Sequence, residues 1–133
     1  MAKLTFSAKL ENLELMLGFI MSDAEKLGFD SKKLNMIKIA LEEALVNIVN
    51  YAYPGKDGEI EIVRNIEDNK RLIIKITDWG IPFDPLSLPD PDIEAPIENR
   101  EIGGLGVYMM RNIMDECNYR RKGKRNILTL RKF

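Results

Sequence analysis

The sequence contains no histidine and only one cysteine, Cys117. These two absences exclude a disulfide framework and a metal site built from cysteine and histidine. Cys117 has no histidine to act as its base, so we expect a small buried side chain rather than a thiol nucleophile. The scarcity of cysteine fits a reducing compartment, and we therefore expect a cytoplasmic protein.

Long hydrophobic runs and an excess of basic charge are also missing. No apolar stretch approaches the length that spans a bilayer, and the start of the chain carries no apolar signal-peptide core. The formal net charge is −1 at pH 7 and the pI is near 5.6, which argues against the basic field that nucleic-acid binders use. The basic run at residues 120–125 is typical of a solvated hairpin. Neither a membrane nor a nucleic-acid partner is expected.

What the sequence does contain is typical of one globular unit. With 133 residues, 45% of them hydrophobic and 31% charged, the chain can bury a core without cross-links. We therefore predict a single domain over residues 1–133. Strand and helix patterns follow each other in the order βααββ, long loop, αββ. That order predicts an α+β two-layer sandwich, a mainly antiparallel mixed sheet with its helices on one face.

The helical segment at residues 40–53 carries the first candidate site. Glu43, Asn47 and Asn50 fall on one narrow stripe of that helix, and the opposite arc is apolar and would pack on a core. No residue between Glu43 and Lys56 is charged, which is unusual for a solvated helix face and typical of a pocket lining. A carboxylate can accept a proton, and an amide oxygen can bind Mg²⁺. The alternative is a core helix that tolerates a few amides.

Two further motifs lie downstream of this helix. Asp78 and Gly80 end the predicted central strand, where an aspartate can accept a hydrogen bond from an exocyclic amine and a glycine lets a flat ring approach the backbone. The glycines at residues 103–106 precede an amphipathic helix, and N–H groups at a helix N-terminus favour phosphate. An ordinary turn and an ordinary glycine-rich connection are the alternatives. The proline-rich stretch between the motifs is long enough to indicate a functional or disordered loop.

Taken in this order, the motifs resemble the GHKL ATPase superfamily, and within it the anti-sigma factor serine kinases of the RsbW and SpoIIAB type. The resemblance covers nearly the whole chain, and it implies the GHKL ATP-binding fold with ATP and Mg²⁺ as cofactors. It also implies a lid over the nucleotide at about residues 86–102. The segments that carry the resemblance are FSA at residues 6–8, EALVNIVNYAY, DWGIPFDP, IGGLGVYMMRNIMDE and NILTLRK.

The resemblance implies a role for each matching residue. Glu43 matches the presumed general base and Asn47 the magnesium-ligating asparagine, while Asn50 falls near the phosphates. Asp78 matches the adenine-binding aspartate and Gly80 its companion glycine. The remaining matches are Gly103, Gly104, Leu105 and Gly106, in the glycine motif over the phosphates, and Thr129, which would reach the adenine site through water.

The implied activity is that of an ATP-dependent protein serine kinase, a homodimer that phosphorylates a STAS-type anti-anti-sigma partner in a partner-switching pathway. A sigma factor is a further partner that the resemblance allows, although residues 10–25 contain no basic residue where anti-sigma members commonly use one. A nucleotide-gated protein-binding module and a simple ATPase would use the same pocket. A structural dimerisation domain would need no nucleotide.

Overall fold

The computed structural model describes residues 1–87 and 104–133, and of residues 104 and 105 it describes the backbone alone. This part of the chain contains five strands, three α-helices and two short 3₁₀ helices, at Leu10–Asn12 and Pro85–Ser87. The strands and α-helices are β1 (Ala2–Ser7), α1 (Leu13–Lys26), α2 (Ser31–Tyr51), β2 (Glu59–Glu67), β3 (Arg71–Asp78), α3 (Gly104–Ile113), β4 (Glu116–Lys122) and β5 (Arg125–Lys132).

The five strands form one sheet in the order β1-β2-β3-β5-β4. Every neighbouring pair of the described strands is antiparallel. The sequence predicted a mainly antiparallel mixed sheet, which would also contain a parallel pair, and the described strands include none. β3 is the central strand, as its pattern predicted, and β1 is an edge strand. The register pairs Asp78, the last residue of β3, with Ile60 of β2 and Asn126 of β5. The end of β3 and the beginning of β5 therefore meet at one end of the sheet.

The α-helices cover one face of the sheet and bury the predicted apolar side chains. Alternate residues of β2 and β3 point toward the helices, as expected for strands with one buried face. The apolar arc of α2 that the sequence predicted is buried in the same core, with Ile48 at its margin. The largest buried side chains are Met16, Leu17, Ile20, Ile37, Leu41, Leu45, Ile60, Ile62, Leu72, Ile74, Ile76 and Met110.

Local signals explain where α2 begins and ends. The carboxylate of Asp30 accepts a hydrogen bond from the N–H of Lys33 at 2.8 Å, which caps the first turn. The helix ends at Tyr51, shortly before Pro54 and before Gly55, whose φ is 72°. α2 is 21 residues long, and within the described residues neither it nor another helix combines the length and apolarity needed to cross a membrane. Glu43 and Asn47 thus lie within a regular helix rather than at its end.

Candidate functional site

A pocket opens between α2 and the end of the sheet where β3 stops and β5 begins. Its walls are mostly apolar, and four polar side chains face into it. A mostly apolar cleft with a few convergent polar groups is typical of a small-molecule site. Asn47 and Asp78, which the sequence singled out separately, therefore lie on one pocket. The lining residues are Ala44, Asn47, Ile48, Ala52, Asp78, Ile81, Phe83, Pro85, Met110, Tyr119, Asn126 and Leu128.

Asp78 is the buried acid of this pocket, with 4% of its surface exposed. Its Oδ1 accepts hydrogen bonds from the N–H of Gly80 at 2.9 Å and from Nδ2 of Asn126 at 2.8 Å. Burial raises the pKa of the Asp78 carboxyl, although these two hydrogen bonds and the charge of Arg121 act to lower it. Since both bonds end on Oδ1, the other oxygen, Oδ2, can accept a hydrogen bond from a ligand.

Asn126 is a polar residue of the pocket that the sequence analysis missed. Its Nδ2 donates to Asp78 and also to the carbonyl of Ile81 at 2.8 Å. Its Oδ1 accepts from the Tyr119 hydroxyl at 2.6 Å and from Nη1 of Arg121 at 3.2 Å. Four hydrogen bonds therefore fix the amide, which is 5% exposed. Buried amides are normally satisfied in this way.

Thr129 was predicted to share the adenine site through water, but the structure places it on the opposite face of the sheet from the pocket. It pairs with Lys75 of β3 and Asn118 of β4, and its side chain lines a shallow surface on the face of the sheet away from the helices. Successive side chains of a strand point to opposite faces, so Thr129 cannot share a face with Asn126 and Leu128. The alternation along residues 126–130 was the signal that would have selected Asn126.

Glu43 lies one turn before Asn47 on α2 and faces the first turn of α3. A Cβ atom added to Gly106 would lie 2.7 Å from Cδ of Glu43, closer than real Cβ atoms approach a neighbour. The absence of a side chain at Gly106 therefore lets α3 pack directly on the carboxylate. The predicted roles of Glu43 as a base and of Gly106 at the phosphates are compatible with this position and stay predictions.

Gly80 has a close neighbour that the sequence did not reveal. A Cβ atom at this position would lie 2.6 Å from Cβ of Ala52, just beyond the end of α2. The N–H of Ile81 donates to the Ala52 carbonyl at 3.0 Å, and the N–H of Trp79 donates to the Tyr53 hydroxyl at 2.8 Å. The segment after Asp78 is thereby held against the end of α2. A contact between Gly80 and a ring stays a prediction.

The other predicted site residues lie outside the pocket or outside the described residues. Asn50 is exposed and is absent from the pocket lining formed by residues 1–87 and 104–133. Gly104 and Leu105 form the start of α3, where the backbone alone is described. Gly103 and residues 88–102 of the predicted lid lie outside the described residues. Their predicted contacts with phosphate stay predictions.

Comparison with known proteins shows the family of this chain. Residues 6–132 match the family described as the histidine kinase-like ATPase domain. The protein named serine-protein kinase RsbW of Bacillus cereus (strain AH820) is 35% identical over 113 residues, and the match covers 82% of this chain and 70% of that protein. Proteins of the same name from Bacillus anthracis and from Bacillus thuringiensis (strain Al Hakam) match with the same identity and coverage.

A solved structure supports the same fold. The histidine kinase domain from the Erythrobacter litoralis EL346 blue-light activated histidine kinase matches with a TM-score of 0.56 and 18% identity, over 90% of this chain and 60% of that chain. At this identity the likeness concerns the fold alone, and it confirms the predicted α+β architecture. With the family match over nearly the whole chain, the chain belongs to the histidine kinase-like ATPase domain family, and its relatives include proteins named serine-protein kinase RsbW.

Proposed function

We propose that this chain is an ATP-dependent protein serine kinase of the anti-sigma factor type, and that it phosphorylates a serine of a STAS-type anti-anti-sigma partner. The observation that carries the proposal is that Asn47 of α2 and Asp78 of β3 line one pocket, with Glu43 one turn away against Gly106. Membership of an ATPase domain family supports the use of ATP, and the name of the relatives, serine-protein kinase, supports transfer to a protein serine.

The adenine base fits the buried end of the pocket. Its exocyclic amino group would donate to Oδ2 of Asp78, because Oδ1 is already bonded to Gly80 and Asn126. The apolar side chains of Ile48 and Leu128 line the same cavity and suit a flat ring. The base would therefore be oriented by a single charged acceptor within apolar walls.

The phosphates would extend from the base toward Glu43 and the start of α3. Asn47 faces the same pocket and offers a neutral amide oxygen for Mg²⁺, which commonly takes one or two protein ligands besides phosphate and water. Bound Mg²⁺ would neutralise charge on the phosphate oxygens. The N–H groups at residues 103–106 would contact the γ-phosphate, as helix N-termini do for anions. Asn50 would lie near the phosphates.

Glu43 would act as the base of the transfer. Its carboxylate accepts the proton of the attacking serine hydroxyl while the bond from the serine Oγ to the γ-phosphorus forms. The bond between the γ-phosphorus and the leaving ADP oxygen breaks in the same step. Positioning and charge neutralisation supply most of the rate in phosphoryl transfer, so the fixed place of Glu43 on a regular helix suits this role.

Four further parts of the proposal come from the resemblance and the composition. The active form is a homodimer, and the lid is formed by residues 86–102. A sigma factor is a second protein partner, and the protein is cytoplasmic. The similarity to proteins named serine-protein kinase RsbW supports the partner-switching setting that the resemblance implies.

The test is phosphoserine formation on a cognate STAS protein incubated with labelled ATP and Mg²⁺. Glu43→Ala should abolish phosphotransfer and leave ATP affinity largely unchanged, because the carboxylate acts on the acceptor proton. Glu42→Ala is the matched control, since Glu42 is the neighbouring acid on α2 and is exposed. Phosphorylation by Glu43→Ala at the wild-type rate would remove Glu43 from the mechanism.

Binding measurements separate the remaining functions. Asn47→Ala should weaken ATP binding in the presence of Mg²⁺ and change it little in its absence, as measured by calorimetry. ATP hydrolysis without phosphoserine would indicate a simple ATPase, and ATP binding without turnover a nucleotide-gated module. A wild-type protein that binds no ATP would contradict the proposal altogether.

A further inference from the structure

Two side chains of β4 have no part in the proposed mechanism: Tyr119, which lines the pocket, and Arg121, which contacts the pocket residue Asn126. Arg121 belongs to the basic run that the sequence predicted to be solvated, yet its Nη1 donates to the carbonyl of Gly80 at 2.8 Å and to Asn126. The Tyr119 hydroxyl donates to the same amide oxygen, and burial raises the pKa of this phenol. Both side chains therefore hydrogen-bond to Asn126, the residue that in turn binds Asp78.

These two donors determine which end of the Asn126 amide faces Asp78. Both bind Oδ1 of Asn126, so that oxygen is directed toward β4 and the amide nitrogen Nδ2 faces the carboxylate. The carbonyl of Ile81 accepts from the same nitrogen at 2.8 Å. Oδ1 of Asp78 thus meets two N–H donors, one from Asn126 and one from Gly80. A carboxylate held in this way is an acceptor at its second oxygen as well.

We propose that Tyr119 and Arg121 are positioning residues that determine base specificity. By holding the amide of Asn126, they keep Asp78 a hydrogen-bond acceptor, which binds a 6-aminopurine and rejects a 6-oxopurine. The exocyclic N–H of adenine donates to Oδ2 of Asp78. Hypoxanthine places a carbonyl oxygen at that point, so two acceptors would face each other. This inference rests on the proposed function, since it concerns the base that the same pocket selects.

The reverse orientation of the amide explains why the two donors matter. If Asn126 turned, its Oδ1 would face Oδ1 of Asp78, and that contact would favour a protonated carboxyl. Because Oδ1 of Asp78 still accepts from the N–H of Gly80, the proton would lie on Oδ2, and from there it can be donated to the carbonyl of a 6-oxopurine. The Ile81 carbonyl opposes the turn in every variant, so we expect a reduction of selectivity rather than its complete loss.

The experiment compares the dissociation constants of ATP and inosine triphosphate, whose bases differ at the 6-position, for four proteins. These are the wild type, Tyr119→Phe, Arg121→Met and the double variant, measured by calorimetry with Mg²⁺. The wild type should favour ATP by about 100-fold or more, because a site that hydrogen-bonds an N–H group strongly rejects an analogue without it. The double variant should lose at least about tenfold of that preference, and each single variant about threefold, since one hydrogen bond to Asn126 is then removed at a time.

Selectivity separates this role from a structural one. If the two residues had a purely structural role, their replacement would weaken the binding of both nucleotides equally and leave the ratio of the two dissociation constants unchanged. That result in the double variant would overturn the inference. Arg120→Met is the matched control, because Arg120 is the adjacent arginine of β4 and is exposed on the other face of the sheet. Arg121→Lys keeps a donor and should retain more of the preference than Arg121→Met.

The remaining outcomes distinguish the two proposals. A wild type that binds neither nucleotide would overturn the proposed function and this inference together. A wild type that prefers ATP while Tyr119→Phe and Arg121→Met keep its full ratio would overturn the inference alone. Thermal unfolding checks that each variant is folded, and Tyr119→Phe, which lacks a single oxygen, carries the test if the double variant does not fold.

Discussion

Replacing Asp78 with asparagine tests whether the pocket reads a base through a carboxylate. The side chain keeps its shape, and its Oδ1 can still accept from Gly80 and Asn126 as it does in the wild type. An amino group then takes the place of Oδ2. Two donors would face each other where the proposed function places one donor and one acceptor, so we expect weaker ATP binding by a folded protein.

The size of the effect follows from the bond that is lost. A hydrogen bond to a charged group contributes about 1.5–3 kcal/mol. Because about 1.4 kcal/mol corresponds to a factor of ten in an equilibrium constant, ATP affinity should fall by roughly 10- to 150-fold. Because the two donors that face each other also repel, we expect the loss of ATP affinity to lie toward the upper end of that range.

Calorimetric titration with Mg-ATP measures this change. The matched control is Asp57→Asn, which makes the same chemical change at an exposed residue between α2 and β2. The control should bind ATP as the wild type does. If Asp78→Asn binds ATP within about twofold of the wild type, where the lost bond predicts at least a tenfold change, Asp78 does not contact the base.

The same variant has a pH signature in the absence of nucleotide. Burial raises the pKa of Asp78, so in the folded protein this carboxyl holds its proton to higher pH than in the unfolded chain, where the pKa is about 3.9. Below the pKa of the unfolded chain, this bound proton makes its full contribution to the stability of the folded protein. That contribution is lost as the pH rises through the pKa of Asp78 in the folded protein. Thermal unfolding should therefore show the wild type losing stability relative to Asp78→Asn across that window. A difference that does not vary with pH would contradict the raised pKa.

The remaining predictions concern the helix contact and the two faces of β5. Gly106→Ala should lower phosphotransfer at least about tenfold, because the added methyl group displaces the carboxylate of Glu43. Gly18→Ala is the control, because nothing lies within 4 Å of the added atom; it should keep activity and gain up to about 1 kcal/mol of stability. Kinase assays and thermal unfolding measure both, and equal activity of the two variants would refute the contact. Asn126→Ala should weaken ATP binding about tenfold by calorimetry, while Thr129→Val should leave it unchanged, and the reverse result would refute the assignment of faces.

The local sequence was sufficient for α2 and for the position of its polar stripe. Helical spacing depends on neighbouring residues alone, so Glu43 and Asn47 could be placed one turn apart with an apolar arc behind them. The end of the helix was equally local, since Pro54 and Gly55 act through their own backbone geometry. The central place of β3 also followed from its own apolar pattern.

The polar network of the pocket required the tertiary structure. Asn126 bonds to Asp78 across 48 positions of sequence, and this contact exists because β5 inserts between β3 and β4. Strand order is a property of pairing between distant segments, and no local pattern in the basic run indicated that Arg121 turns toward Gly80. The sequence thus determined which helix carries the polar stripe and which strand ends in the acid. Only the packing of distant strands decided which partners hold that acid, because hydrogen bonds between segments depend on the register of the sheet.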